Sequence, residues 1–401
     1  MKRINNLYDN ILDIDKLETM YHKIKISTRN KEKIEKFENN HVSNIINIKN
    51  VLEKRSYKPG KYNIFLVREP KLRLIMSQNM TDKIINHTVS KYFLVDIFEN
   101  TLINENIATR KNKGTHYGIK LLKKYLNEIK DKEFYILKFD ISKYFFNLDH
   151  EIIKKLIRKK IKDKEVLKII DDVIDSTNLE YVNKEIKKLK QKEINKILNS
   201  NKEQLIEEIK SLPYYKKGKG LPIGNMSSQI IAILYLNELD HYIKEKLKIK
   251  YYIRYMDDGI LIHENKQYLQ YCLKEIEKIL DKYKLKLNKK TKIVNIKNGF
   301  EFLGFRYYIK NNKVLMKVKN QTKKRFKRKM KNLNYLVNKN KIDVKYLNQV
   351  KASYLGHLSY GNTNNLISKT INKMDYNKLK IKEVLIKDNE LFYFDKVIYY
   401  R

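Results

Sequence analysis

The sequence predicts an α+β fold, and three patterns predict it. Apolar and polar residues alternate with strand period through residues 61–76, β-rich arms flank Asp257-Asp258-Gly259, and the long stretches around them carry apolar residues at helical spacing. A chain of 401 residues has room for two or three packed units, and 42% hydrophobic content lets it fold rather than stay disordered.

Residues 1–60 read as short helices that close at the breaker Lys58-Pro59-Gly60. Over 61–76, Tyr62, Ile64 and Leu66 alternate against Asn63, Phe65 and Val67, and Arg68, Lys71 and Arg73 decorate a hairpin. Helical periodicity runs from Thr81 to Phe98 with Ile84, Ile85, Val89 and Phe93 on one side. After the basic turn Arg110–Gly114 comes a helix over about 116–130, then a β-rich stretch over 134–141 that ends on Asp140. Residues 150–212 are helical and rich in Lys and Glu. Residues 218–224 form a loop, and Ser227 or Ser228 caps a helix reaching about 247. A hairpin over 251–263, a helix over 267–282, β-rich segments over 292–318 and a basic helical part from 322 to about 385 follow. No internal repeat is visible.

Charge narrows the partner class. Lys and Arg number 87 against 46 Asp and Glu, a net charge of +41. Such a chain repels itself until an anion neutralises it, and nucleic acid is the natural one. Codon bias toward Lys, Asn, Ile and Tyr explains part of this, but not why Asp and Glu fail to rise as well. Cys272 is the single cysteine, which excludes intrachain disulfides and Cys-rich zinc sites and leaves it a helix face to fill in a cytosolic setting. Met1 to Asp15 lacks the apolar core of a secretory signal, and the apolar run Ile230–Leu236 falls far short of the ~18–20 residues that span a bilayer. A soluble, cytoplasmic protein without a membrane partner is expected.

The chemistry centres on acids. Asp-Gly between apolar arms is a strong hairpin signal, and it places Asp257 and Asp258 together at a tip where they repel unless a cation sits between them. Mg²⁺ suits such a tip, taking a few carboxylate oxygens plus substrate phosphates. The pair Asp171-Asp172 lies instead in a helical stretch and reads as two solvated surface charges. Asp140 closes a second apolar strand. If that strand lies beside the hairpin, three carboxylates converge as two-metal phosphoryl transfer requires.

Five segments in order resemble the motifs of reverse transcriptases: Phe139-Asp140-Ile141-Ser142-Lys143-Tyr144-Phe145, Gly220–Gln229, Tyr255-Met256-Asp257-Asp258, Leu287–Thr291, and Phe302-Leu303-Gly304-Phe305. The resemblance runs from about residue 60 to 310. It implies a right-hand polymerase with fingers, a palm of antiparallel sheet and helices, and an α-helical thumb. It assigns 1–60 to a basic N-terminal region, 61–318 to fingers and palm with the Lys/Glu-rich helical segment 150–215, and 319–401 to thumb and tail. Catalysis falls to Asp140, Asp257 and Asp258, and the same residues with Ile141 form the metal site for two Mg²⁺ ions, with Mn²⁺ as substitute.

The resemblance also implies a nucleotide site of Arg73, Lys71, Phe145, Ile223, Gln229 and Lys290. Phe145 stands where these enzymes exclude a ribose 2′-hydroxyl, Arg73 and Lys71 where they clamp the triphosphate, and Lys290 where it can protonate pyrophosphate. Phe302, Leu303 and Gly304, the primer grip, and Lys324, Arg325 and Arg328 in the expected thumb would contact nucleic acid. Ile223 stands where many relatives carry Gln. Ile-Gly-Asn-x-x-Ser-Gln is similar to the form found in diversity-generating retroelements and in some group II-like or defence-associated bacterial enzymes, and it suggests lowered fidelity.

The implied activity is RNA-directed DNA polymerisation in a bacterial retroelement or antiviral defence system. Its partners would be an RNA template, a DNA or RNA primer, dNTPs, and a dedicated non-coding RNA or accessory protein. Two rivals are a non-catalytic RNA-binding or splicing cofactor, which the three acids disfavour, and an RNA-copying RNA polymerase, which Phe145 disfavours.

Overall fold

Local caps set the first helices of this computed structural model, which describes residues 3–28, 30–68, 71–197, 202–372, 383–387 and 390–394. Asp13 accepts the amides of Asp15 and Lys16 at the start of the helix Ile14–Ser27, and Asn30 accepts that of Lys33 at the start of Lys31–Glu38. With His41–Glu53 they enclose Leu17, Tyr21, Ile24, Ile45 and Ile48, and Tyr21 stacks on Phe37.

The expected hairpin forms as β1 (Asn63–Val67) and β2 (Arg73–Ser77), paired antiparallel from Asn63↔Ser77 to Val67↔Arg73. Its inward residues Leu74 and Met76 pack on Val182 and Ile186 of the helix Glu180–Asn195. Tyr181 accepts the Tyr62 amide through its hydroxyl at 3.0 Å, and Arg68 pairs with Glu193 at 2.6 Å. Part of the Lys/Glu-rich segment therefore braces this hairpin. In the same segment Asp171 pairs with Arg158 and Asp172 is half-buried, with its pKa raised by burial, so this acid pair is less solvated than its sequence implies.

The helix Met80–Val89 continues through a wider turn over Ser90–Val95, and Ile84, Ile85, Val89 and Phe93 are all buried, as the periodicity predicts. The helix Met226–Tyr235 begins one residue before the expected serine caps, with Asn225 at its N-cap position. Ser227 is buried instead and accepts a hydrogen bond from the Asn86 amide at 2.8 Å, tying two helices together.

A four-stranded sheet runs in the order β4-β5-β3-β6, from β3 (Tyr135–Asp140), β4 (Tyr251–Tyr255), β5 (Asp258–His263) and β6 (Lys292–Asn295). Its β4–β5 hairpin departs from the sequence reading. The two turn residues are Met256 and Asp257, and Asp258 already belongs to β5. Met256 supplies the left-handed backbone with φ +55°, while Gly259 has no such φ. Packing selects the glycine: a Cβ there would lie 2.2 Å from Cζ of Phe139.

Two compact units interleave along the chain. One comprises residues 1–114, 138–260 and 270–292, and the other residues 115–137, 261–269 and 293–401. The second contains the helix Thr115–Ile129, the antiparallel sheet β7 (Phe300–Phe302), β8 (Phe305–Lys310) and β9 (Lys313–Val318), and the helices Asn320–Asn338, Val344–Leu358 and Asn364–Ile371. Phe326, Met330, Leu333, Leu347, Leu355 and Ile367 form the core of those last three helices. The sequence extends helix to about 385, but β10 (Glu383–Lys387) pairs with β11 (Glu390–Phe394) instead. The tail residues Tyr399–Arg401 lie outside the described residues. Among those described, no helix is long and apolar enough to cross a membrane.

The Gly259–Phe139 fit gives a direct expectation. Gly259→Ala lowers stability by about 1–3 kcal/mol through overpacking, and Phe139→Leu in the same chain recovers part of the loss. Urea midpoints for parent, single and double variants measure it. Equal midpoints for parent and Gly259→Ala would refute the packing account.

Candidate active site

Strand alternation decides which side chains of β3 meet the turn. Phe139 faces the Gly259 side, so Lys138 and Asp140 share the opposite face. The end of β3 is held by main-chain bonds: the Asn288 amide donates to Asp140 O at 2.7 Å and the Ser142 amide to Lys286 O at 2.9 Å. Ile141 bridges Leu287 in antiparallel fashion. Two of the sequence motifs, 139–145 and 287–291, are thereby joined.

Asp140 and Asp257 come together. Burial first, then the charge of Asp140, pushes the Asp257 carboxyl up from 3.8 to about 6, and a hydrogen bond between the two carboxyls favours its protonated form. The charge of Asp258 pushes Asp257 the same way, and Lys138 reaches the Asp258 carboxylate at 3.2 Å. Among the described residues no three His, Cys, Asp or Glu side chains converge as a metal-holding group. Asp140 and Asp257 thus meet directly, with Asp258 close by and engaged by a lysine. The reason is positional: Lys138 lies two residues before Asp140, on the same strand face. The pair itself fits a divalent cation, since ionised Asp257 is unfavourable beside Asp140 until positive charge joins them.

The nucleotide-site candidates fall on several separate segments of this unit. Arg73 is exposed on β2, and Lys71 is exposed just before it. Phe145 is half-buried with its ring edge-on to Tyr144, and its carbonyl accepts the Leu221 amide at 2.8 Å, joining segments 139–145 and 220–229. The carbonyl of Ile223 accepts the Met76 amide at 2.8 Å, which attaches the same loop to β2. Gly224 permits this approach, since its φ is +135° and a Cβ would lie 2.6 Å from Met76 O. Gln229 is half-buried on the following helix, and Lys290 is exposed.

In the second unit, Phe302 is fully buried in β7, so its side chain serves the sheet. The accessible feature is the turn Leu303-Gly304, with φ +47° and +88°. His357 lies across from it, 3.5 Å from where a Gly304 Cβ would stand, and packs on Phe305. Lys324 and Arg328 are exposed on the helix Asn320–Asn338, and Arg325 is half-buried there; burial lowers the His357 pKa, and the charges of His116 and Arg325 add to it.

Sequence reasoning missed Arg254 and Asp240. Both are fully buried and paired at 2.6 Å. Arg254 Nε donates to Asp240 Oδ1 at 2.6 Å, Nη2 to Ile233 O at 2.9 Å, and Nη1 to Met256 O at 2.7 Å. Asp240 also accepts from the Tyr252 hydroxyl at 2.8 Å and from the Asn106 amide at 3.3 Å. The available signal was an arginine inside an apolar β arm, which burial compels to find an acid.

A family described as reverse transcriptase (RNA-dependent DNA polymerase) matches residues 57–307, an interval that contains Asp140, Asp257 and Asp258. Protein YkfC of Escherichia coli (strain K12) is 22% identical over 271 residues, 59% of this chain and 63% of that protein. The group II intron-encoded protein LtrA of Lactococcus lactis subsp. cremoris is 24% identical over 181 residues, 45% of this chain and 24% of that protein. The chain thus matches less than two thirds of the length of either curated relative. Among solved structures, apo telomerase from Candida tropicalis, truncated from the C-terminal domain, matches with a TM-score of 0.41 and 16% identity, covering 63% of this chain and 54% of that one.

The raised Asp257 pKa has a stability consequence. In metal-free buffer its ionised form costs stability above about pH 6, and the cost fades as pH falls from about 6 toward 3.8. At ~1.4 kcal/mol per unit the cost is on the order of 2–3 kcal/mol. Asp257→Asn should therefore raise Tm at pH 7.5 in chelator, with the gap to the parent closing near pH 4. A gap independent of pH would exclude this origin.

Proposed function

Since the chain belongs to the reverse transcriptase family, we propose that it is an RNA-directed DNA polymerase extending a primer 3′-end on an RNA template by two-metal phosphoryl transfer. The observation that carries this is the meeting of Asp140 and Asp257 at the ends of neighbouring structural elements, where Asp257 ionises with difficulty unless a cation is present. A protein that only bound RNA would gain nothing from repelling acids on so basic a chain.

Asp140 and Asp257 would hold the Mg²⁺ or Mn²⁺, with Asp258 and the Ile141 position completing the site. Bound there, the metal supplies charge neutralisation for the attacking 3′-oxygen and the triphosphate. Lys138 holds Asp258 ready beside the pair. Arg73 and Lys71 neutralise the incoming triphosphate, Arg73 by the bidentate geometry of a guanidinium. Phe145 excludes the 2′-hydroxyl, Ile223 and Gln229 contact the nucleotide, and Lys290 donates the proton that pyrophosphate takes on leaving. In the second unit, the Leu303-Gly304 turn with Lys324, Arg325 and Arg328 holds primer and template backbones.

The likeness to a group II intron-encoded protein supports a bacterial retroelement setting, and a defence system is the other setting in this reading. A dedicated non-coding RNA or accessory protein and a cytoplasmic location belong to the same reading.

Primer extension with purified protein, Mg²⁺, dNTPs and an RNA template tests the activity. Template-dependent DNA is expected, reduced by roughly 10³-fold or more in Asp140→Ala and in Asp257→Ala. RNA bound tightly without any product would favour the cofactor reading. In the same assay, Phe145→Ala should incorporate ribonucleotides that the parent rejects. Unchanged discrimination would remove Phe145 from the gate.

A further inference from the structure

The Arg254 guanidinium divides its donors between two tasks. Nε and Nη2 neutralise Asp240, and Nη2 also satisfies Ile233 O. Nη1 points elsewhere, to the carbonyl of Met256 at 2.7 Å. The backbone of Arg254 is itself fixed, its amide donating to Glu105 O and its carbonyl accepting from the Ile107 amide, both at 3.0 Å. Asp240 is fixed in turn by Tyr252 and Asn106. Nη1 thus extends from a fully buried network and closes on the first residue of the turn that carries Asp257.

That residue needs holding. Met256 sits at φ +55°, a left-handed region that crowds the Cβ of a non-glycine residue. Released, the turn has lower-energy backbone states open to it, and Asp257 is no longer held to one position beside Asp140.

We propose that Arg254 is a positioning residue that clamps the strained Met256-Asp257 turn and so fixes the Asp257 carboxylate against Asp140, with Asp240 serving to anchor the guanidinium. This rests on the polymerase reading for its effect on catalysis, but the clamp itself is a property of the turn.

Lysine separates the two tasks, because a single ammonium on a shorter reach can neutralise Asp240 without also gripping Met256 O. Arg254→Lys is expected to stay folded, with kcat for dNTP addition down roughly 10- to 100-fold, KM for dNTP nearly unchanged, and faster hydrogen exchange at the backbone amides of 255–260. Asp240→Asn removes the anchor's charge but keeps a carbonyl oxygen that accepts from the guanidinium, so Nη1 is expected to stay on Met256 O. It is expected to melt at lower temperature while its folded form keeps the parent's exchange at 255–260. Parent-like kcat and exchange in folded Arg254→Lys would overturn the clamp. If Arg254→Lys does not fold, exchange at 255–260 in Asp240→Asn decides, since acceleration there in step with the rest of β4 would make the pair a stability element only. Should the parent itself extend no primer, the activity reading falls, and the exchange measurements still decide the clamp.

Discussion

A guanidinium without access to water has to be neutralised where it stands, and Arg254 meets that demand in Asp240. Such a pair adds little net stability over well-packed apolar residues, but leaving one partner alone costs about 3–5 kcal/mol. Its effect is therefore on which arrangement the chain accepts. β4, the segment through Asn106, the end of the helix Met226–Tyr235 and the helix Asn237–His241 each contribute a group to the network. A one-residue slip of β4 would turn Arg254 to the other face and strand both charges. The register that buries the pair is also the register that brings Asp257 to the turn.

The acids at the end of β3 carry the opposite balance. Asp140 and Asp257 approach at an electrostatic cost that the fold tolerates, and Lys138 takes up the charge of Asp258. On a chain with net charge +41, isolated acids find lysines readily. Two that instead face each other mark a place where external positive charge is called for, while the rest of the surface favours a polyanion. One chain thus presents complementary demands, cations at the strand end and phosphates elsewhere, and a templated polymerase needs both.

Most elements were legible in the sequence because their signals are local. Alternation through 61–76 and 251–263, helical spacing at Ile84, Ile85, Val89 and Phe93, and the strand ending on Asp140 all appear within a residue or two of where they were expected. What was illegible depends on partners distant in sequence. Gly259 looks like a turn residue, yet Phe139, 120 positions earlier, selects it. Ser227 looks like a cap, yet Asn86 recruits it into a buried contact. The Lys/Glu-rich segment offers no motif, because its task of packing Val182 and Ile186 under β1 and β2 is defined only once those strands exist. Arg254 could be suspected of needing an acid, but nothing local singles out Asp240.

Two turns in separate units show how differently strain can be managed. Leu303 and Met256 both place a bulky side chain at positive φ in the first position of a two-residue turn. After Leu303 the chain has Gly304, which takes φ +88° without steric penalty, so the β7–β8 turn follows the geometry that suits antiparallel strands. After Met256 the chain has Asp257, which does not share the left-handed φ, and no glycine relieves the turn. A glycine at 256 would remove the strain, but it would also widen the set of conformations open to Asp257. The chain carries the more restricted residue there and answers its strain with a buried hydrogen bond from Arg254. Restriction at the turn and anchorage in the core act on the same carboxylate. The cost is local strain, and the gain is one defined position for a group that must meet Asp140.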